Sequence, residues 1–400
     1  MLSAFLHAPT LSFLCSSSSS PQPQPKPRPC LSSMASSSLV RIAVVGDVHD
    51  DWNLEEDANA LQFLKCHMDL KNLSDKGLRG NAAGFGALHR QVPLSSLSNQ
   101  SLALPEQTVT SVKLLLLPFF PCSHAFASSG DFGNENLELV QDVAALNFPK
   151  AVILGNHDSW STQQFSSKEK DRVQLQLECL GQEHVGYKRL DFPLLKLSIV
   201  GGRPFSCGGQ QIFRKRLLSA RYGIQDMEGS AKRIYEAALR TPEDHLVILL
   251  AHNGPTGLGS ELNDICGKDW VFGGGDHGDP DLAQAISHLK ETTNVSIPLV
   301  VFGHMHKELA HGNGLRKMIV VGTDDIIYLN GAIVPRVKRS TNETSLHASN
   351  SDGTYRAFTL VEILNGQVNK ISESWVSVVG NETTLEEEHI LFKSNGQSSR

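Results

Sequence analysis

Apolar residues fall into two kinds of run along this chain. The first kind is short and continuous: "LVRIAVV" (39–45), "KAVIL" (150–154), "LKLSIV" (195–200), "HLVILL" (245–250) and "IPLVVF" (297–302). Such runs read as strands covered on both faces, the mark of an α/β sheet between helices. The second kind has helical spacing, as in "LEEDANALQFLKC" (54–66) and "NLELVQDVAALNF" (136–148). A third helix start is marked by chemistry. Asp279 is placed as a cap, Pro280 stands at the first helical position and Asp281 puts acid in the first turn before "LAQAISHLK". Past residue 316 the pattern changes to "KMIVVGT", "DIIYLNGAIV", "YRAFTLVEI" and "ESWVSVV", strands joined by turns without helices. This predicts a second, more antiparallel sheet. Residues 384–400 read as a flexible tail.

Two stretches do not fit the pattern. Residues 1–38 are rich in Ser and Pro, include Lys26 and Arg28, and precede the first acidic residue, Asp47. They carry too little apolar surface to fold alone. Their composition reads as an organelle transit peptide, with a chloroplast favoured over a mitochondrion or a cytoplasmic tail. Residues 67–128 have no sustained period and read as an irregular insertion in a domain spanning 39–383. Within it, "CSHAFASSG" gives no strand before Asp131, and "VKLLLLPFF" is broken by Pro118 and followed by Pro121. The run "LLLLPFF" falls far short of the ~20 residues that cross a bilayer, so no membrane span is expected.

Composition narrows the function. A net charge of −6 over 400 residues disfavours a dedicated nucleic-acid surface. The basic patches at 213–223 and 335–340 are modest. Seven cysteines, at 15, 30, 66, 122, 179, 207 and 266, include no CxxC pair, which argues against a sulfur-bound zinc site. The glycine-rich "GGGDHGDP" lacks the GK[ST] ending of a phosphate loop and reads as a flexible connection.

The chemistry gathers where strands end. "IAVV" leads to Asp47 and His49, "AVIL" to Gly155, Asn156, His157 and Asp158, "VILLA" to His252, and "LVVF" to Gly303, His304 and His306. A further glycine–acid pair places Asp131 before Asn134. In open α/β sheets ligands bind at the carboxyl ends of strands. Residues two apart on extended chain point the same way, so Asp47 with His49, or His304 with His306, can grip one centre. Seven His, Asp and Asn donors without a thiolate suit two ions sharing a bridge, drawn from Mn, Fe, Zn or Ni.

D-x-H, G-D, G-N-H-D, a lone His and G-H-x-H, in that order over residues 41 to about 335, resemble the calcineurin-like metallophosphoesterase superfamily, in a plant or cyanobacterial form. The resemblance implies a four-layer αββα sandwich of two mixed β-sheets flanked by helices. It implies that Asp47, His49 and His306 hold one divalent metal ion, that Asn156, His252 and His304 hold a second, and that Asp131 bridges them. A hydroxide between the ions would attack a small phosphorylated substrate, a monoester or a diester. His157 would face the scissile phosphate as a catalytic residue, with Asp158 orienting its ring. Arg203 follows a strand and is a candidate for binding substrate, balanced against a structural salt bridge. His67, His124, His184, His277 and His311 read as structural. Asn134 stands where the family commonly has Asp, which predicts tuning and not loss. The alternative is a weak or inactive scaffold that keeps only the fold.

Overall fold

The computed structural model describes residues 39–75, 124–166, 168–339 and 353–394, without side chains for 67–75. The leader at 1–38 and most of the expected insertion lie outside the described residues. Two mixed sheets carry the fold. In the first, β1 (Leu39–Val45) lies between β2 (His124–Ser128) and β11 (Thr354–Leu364). β3 (Lys150–Val152) continues beyond β2, while β12 (Gln367–Val379) and β13 (Glu382–Lys393) continue beyond β11. β10 (Val337–Arg339) also pairs with β11. The second sheet runs β4 (Arg189–Phe192), β5 (Leu197–Gly201), β6 (Leu246–Leu250), β7 (Leu299–Phe302), β9 (Ile327–Asn330) and β8 (Ile319–Val321).

Alternation along the strands builds the layers. Ile42, Val44, Ala127 and Ile153 from the first sheet share a core with Ile199, Ile248, Leu250 and Val301 from the second. Their neighbours Phe126, Val152, Val247, Leu249 and Val300 belong to another core, which holds the helices. There they join Leu61 and Leu64 of α1 (Leu54–Asp75) and Val140 and Val143 of α2 (Leu137–Ala145). Ile234 of α5 (Met227–Ala238) and Leu282 and Ile286 of α6 (Pro280–Thr292) join the same core. Period-two burial on both faces gives an αββα sandwich, as expected. The shorter helices are α3 (Arg172–Leu180) and α4 (Lys215–Tyr222).

Three expectations change. A strand does precede Asp131: "HAFAS" forms β2 and pairs in parallel with both β1 and β3. Small Ala125 and Ala127 fit between the sheets where longer apolar residues were sought. The chain from 384 does not fray at once. β13 pairs with β12 over Lys370↔Lys393 to Val379↔Glu382 and shows a largely exposed edge, which its many glutamates suit. Asp279 precedes α6, but its side chain makes no capping bond. Its carboxylate is taken by Arg203 and Ser206.

Candidate metal centre

The parallel strands β1, β2, β3, β6 and β7 all deliver chemistry just past their carboxyl ends. Asp47 and His49 follow β1, Asp131 follows β2, and Asn156 and His157 follow β3. His252 follows β6, and His304 and His306 follow β7. The backbone is bent hard at these points. Asp47, His49, Asp131 and His304 have φ of 25°, 45°, 51° and 66°. Left-handed backbone at non-glycine residues is costly and collects at functional sites.

Two glycines let the side chains close in. A Cβ on Gly155 would lie 2.2 Å from Asp131 Oδ1, and one on Gly303 would lie 2.3 Å from Asp47 Oδ1. The glycines of "GNHD" and "GHMH" therefore serve close approach as well as turning.

The donors converge in overlapping groups. Asp47, His49 and His306 form one, and Asp131, His252 and His304 form another, each with ligand atoms within 4.8 Å of one another. A third, His49, Asp131 and His157, joins them, sharing His49 with the first and Asp131 with the second. Asp131 Oδ2 lies 3.4 Å from His252 Nε2 and 4.0 Å from His49 Nε2. Asn156 enters through its Oδ1, 2.9 Å from His252 Nε2. His304 and His306 thus part company, although their spacing allowed them to share one centre.

The free donor atoms test whether cations fit. Asp47 Oδ1 accepts from the His304 N–H, but Oδ2 is buried without a hydrogen-bond partner. Asp131 Oδ1 accepts from the His157 N–H at 2.8 Å, which leaves Oδ2 for the histidines. His252 Nδ1–H donates to the Ser129 carbonyl at 2.6 Å, so the neutral ring would turn the Nε2 lone pair to the Asn156 oxygen. His49 Nε2 and His306 Nε2 stand 2.9 Å apart, with at most one proton between them when both rings are neutral. Acceptors facing acceptors need positive charge between them, a proton or a metal ion. A buried carboxylate oxygen that faces only imidazole nitrogens, and an imidazole oriented by a carbonyl, belong to the donor set that divalent ions take.

Titration follows the same crowding. Burial works against the Asp47 carboxylate, yet the His306 and His49 rings hold it well below the ordinary range. Burial also works against charge on His252, but Asp131 prevails and raises it to about 10. Burial, helped by His252, pushes His304 down to about 3, and burial lowers His157 as well.

The structure corrects two roles. Asp158 does not hold the His157 ring. Its Oδ2 accepts from the N–H groups of Asp131 (2.9 Å) and Gly155 (2.7 Å), and its Oδ1 from that of Phe132 (3.0 Å). It ties the loops after β2 and β3 together. Burial, then Asp131, push its carboxyl up to about 8 against those donors. The ring is held instead by Asn134, whose Oδ1 accepts from His157 Nδ1–H at 2.7 Å, while Trp160 stacks on it at 4.7 Å. Arg203 is not poised for phosphate. It is 1% exposed, and it donates to Asp281 Oδ2 at 2.9 Å and Asp279 Oδ1 at 2.7 Å. Its short reach from β5 and the two acids ahead of and in α6 make the salt-bridge alternative the observed one. His277, read as structural, stacks on His304 with ring centres 5.9 Å apart.

Comparison with curated proteins gives no match. A solved structure titled "GAP50 the anchor in the inner membrane complex of Plasmodium" is 13% identical over 90% of each chain, with a TM-score of 0.34. The model of the calcineurin-like phosphoesterase family matches residues 113–308, a span that holds Asp131, Asn156, His157, His252, His304 and His306. Asp47 and His49 precede that span in sequence and meet it in space, through His306 and Asp131. By that match, the sequence of residues 113–308 is similar to the calcineurin-like phosphoesterase family.

Proposed function

We propose that the chain hydrolyses phosphate esters with two divalent cations. One is held by Asp47, His49 and His306, the other by Asn156, His252 and His304, with Asp131 between them. The observation that carries this reading is the convergence of histidine, carboxylate and amide ligand atoms around Asp131, together with Asp47 Oδ2, which is buried without a hydrogen-bond partner. Two such ions, when bound, bring the pKa of a shared water from 15.7 toward about 7 and offset charge on phosphate oxygens.

The chain's own groups supply the rest. Asp158 fixes the Asp131 and Gly155 backbones by hydrogen bonds, so the ligand loops enter the reaction already placed. Asn134 holds Nδ1–H of His157, which presents Nε2 to the ester. A proton on Nε2 can pass to the leaving oxygen, a general-acid contribution of about 10²–10⁴-fold. Asn134 cannot take charge, so it orients the ring without raising its basicity as a carboxylate would.

The reading is tested on the full chain, loaded in turn with Mn, Fe, Zn and Ni, with a phosphomonoester and a phosphodiester as substrates. Turnover that appears with metal and vanishes with chelator is expected. Tight binding of two ions without turnover of either ester would leave a metal-binding scaffold instead.

A further inference from the structure

A cavity of about 360 Å³ opens beside the metal centre. It is lined by Asp131, His157, His304 and His306, and also by Trp270 and His277. The last two have no part in holding cations. Their rings continue outward from a ligand: His277 stacks on His304, and Trp270 meets His277 at 4.9 Å with planes 86° apart. Trp270 nevertheless remains 52% exposed. The next two residues, Val271 and Phe272, are exposed as well, at 42% and 106%. A large indole left half open at the lining of a cavity is apolar surface that a bound molecule could cover.

Trp270 is also held in place. Asp269 before it accepts from the Ala310 N–H at 2.7 Å and pairs with Arg316 Nη2 at 3.1 Å. Arg316 donates in turn to the carbonyls of His306, Asp264 and Gly267. One guanidinium thus joins the Trp270 loop to the His306 segment, so the indole and the centre keep their spacing. That work uses every nitrogen of Arg316, the one Arg or Lys in the cavity lining among the described residues. Glu308, also in the lining, is exposed and acidic. A second anionic group is therefore poorly received there, whereas a flat uncharged ring finds an indole to stack on.

We propose that Trp270 is a specificity residue that stacks on an aromatic ring in the alcohol half of the substrate. The site then favours phosphate esters of ring-bearing alcohols, nucleosides or simple aryl alcohols, over esters of aliphatic polyols. This rests on the phosphoesterase reading above.

Two ester pairs test it on the metal-loaded full chain: AMP against ribose 5-phosphate, and benzyl phosphate against cyclohexylmethyl phosphate. Each pair keeps the same kind of leaving oxygen and changes the ring. Trp270→Ala should lower kcat/KM for the aromatic member about 10-fold, mainly through KM, and Trp270→Phe should restore most of it. Ribose 5-phosphate turnover should stay within about twofold, which also shows that the variant folds. A preference in the AMP pair assigns nucleosides, and one confined to the benzyl pair assigns simple aryl alcohols. A second readout needs no turnover: phenylphosphonate should quench tryptophan fluorescence more than methylphosphonate does, and Trp270→Ala should abolish the difference. Equal losses for both members of each pair, or equal quenching by both phosphonates, overturns the proposal. Absence of turnover with every ester would overturn the phosphoesterase reading instead, and the quenching result would then decide the role of Trp270.

Discussion

Two buried clusters of charge lie in this molecule, and they differ in what neutralises them. Around Arg203 the chain supplies its own cation. The guanidinium binds Asp279 and Asp281, Ser206 donates to Asp279, and Ser230 donates to Asp281 while bonding Tyr187 at 2.7 Å. Burial pushes Asp279 up to about 7 against the pull of Arg203, so even the extra acid is nearly accommodated by a proton. Around Asp131, among the described residues, no Lys or Arg is within salt-bridge distance of the two carboxylates, and histidine nitrogens and carboxylate or amide oxygens face one another. The carboxylates of both clusters are equally hidden from water, although His49 and His306 of the second reach solvent. Buried acid alone therefore does not mark a metal site; acceptors that converge without a fixed cation do.

The largest expected effect comes from removing the shared acid. Asp131→Ala should lose both ions and lower turnover by about 10³-fold or more, since each ion contributes several kcal/mol to the transition state. Metal analysis still finding two ions per chain would refute the bridge. Next, His157→Ala should keep both ions and lose about 10²–10⁴-fold in kcat. Full activity in that variant would remove His157 from the reaction. Arg203→Ala should do the reverse. It leaves two acids buried without their partner, at a cost of about 3–5 kcal/mol in chemical unfolding, with the ion content unchanged. Unaltered stability with a large rise in KM would return Arg203 to the substrate.

The smallest effect separates acid damage to the fold from acid damage to the centre. Burial holds His184 neutral, its pKa lowered to about 3. In the unfolded chain the ring protonates near pH 6.5. The contribution of His184 is therefore complete above pH 6.5 and is lost as pH falls toward 3. By pH 5 the loss is about 2 kcal/mol. Urea unfolding at pH 7.5 and 5.0 should show that difference shrinking by a similar amount in His184→Gln. An unchanged pH dependence would assign the acid sensitivity to histidines of the centre.

What was legible in the sequence was what repeats. Continuous apolar runs ending in polar clusters gave the two sheets and brought the same donors into view. β2 was hidden because Ala125 and Ala127 carry little hydrophobic signal, although their size is what the space between the sheets requires. β13 was hidden because an exposed edge strand rich in glutamate has the composition of a tail. Side-chain direction was harder still. Asp158 follows His157 directly, yet its carboxylate turns back to three backbone N–H groups, while Asn134 reaches the ring from another loop. Trp270 sits in "KDWVFGGG", where no periodicity flags it; an aromatic run in a glycine-rich loop was the one available signal.

The place of β1 has a consequence for how the protein comes into being. The strand that carries Asp47 and His49 is bonded along its length to β11, from Leu39↔Leu364 to Val44↔Thr359. Every residue proposed to bind a cation leaves the ribosome before β11 does. The nascent chain can own all its ligands and still lack the brace that sets the first two against the others. A chain cut short before residue 354 would keep the whole inventory with the β11 side of β1 left as an open edge, so ion capture by such a chain would be expected to weaken.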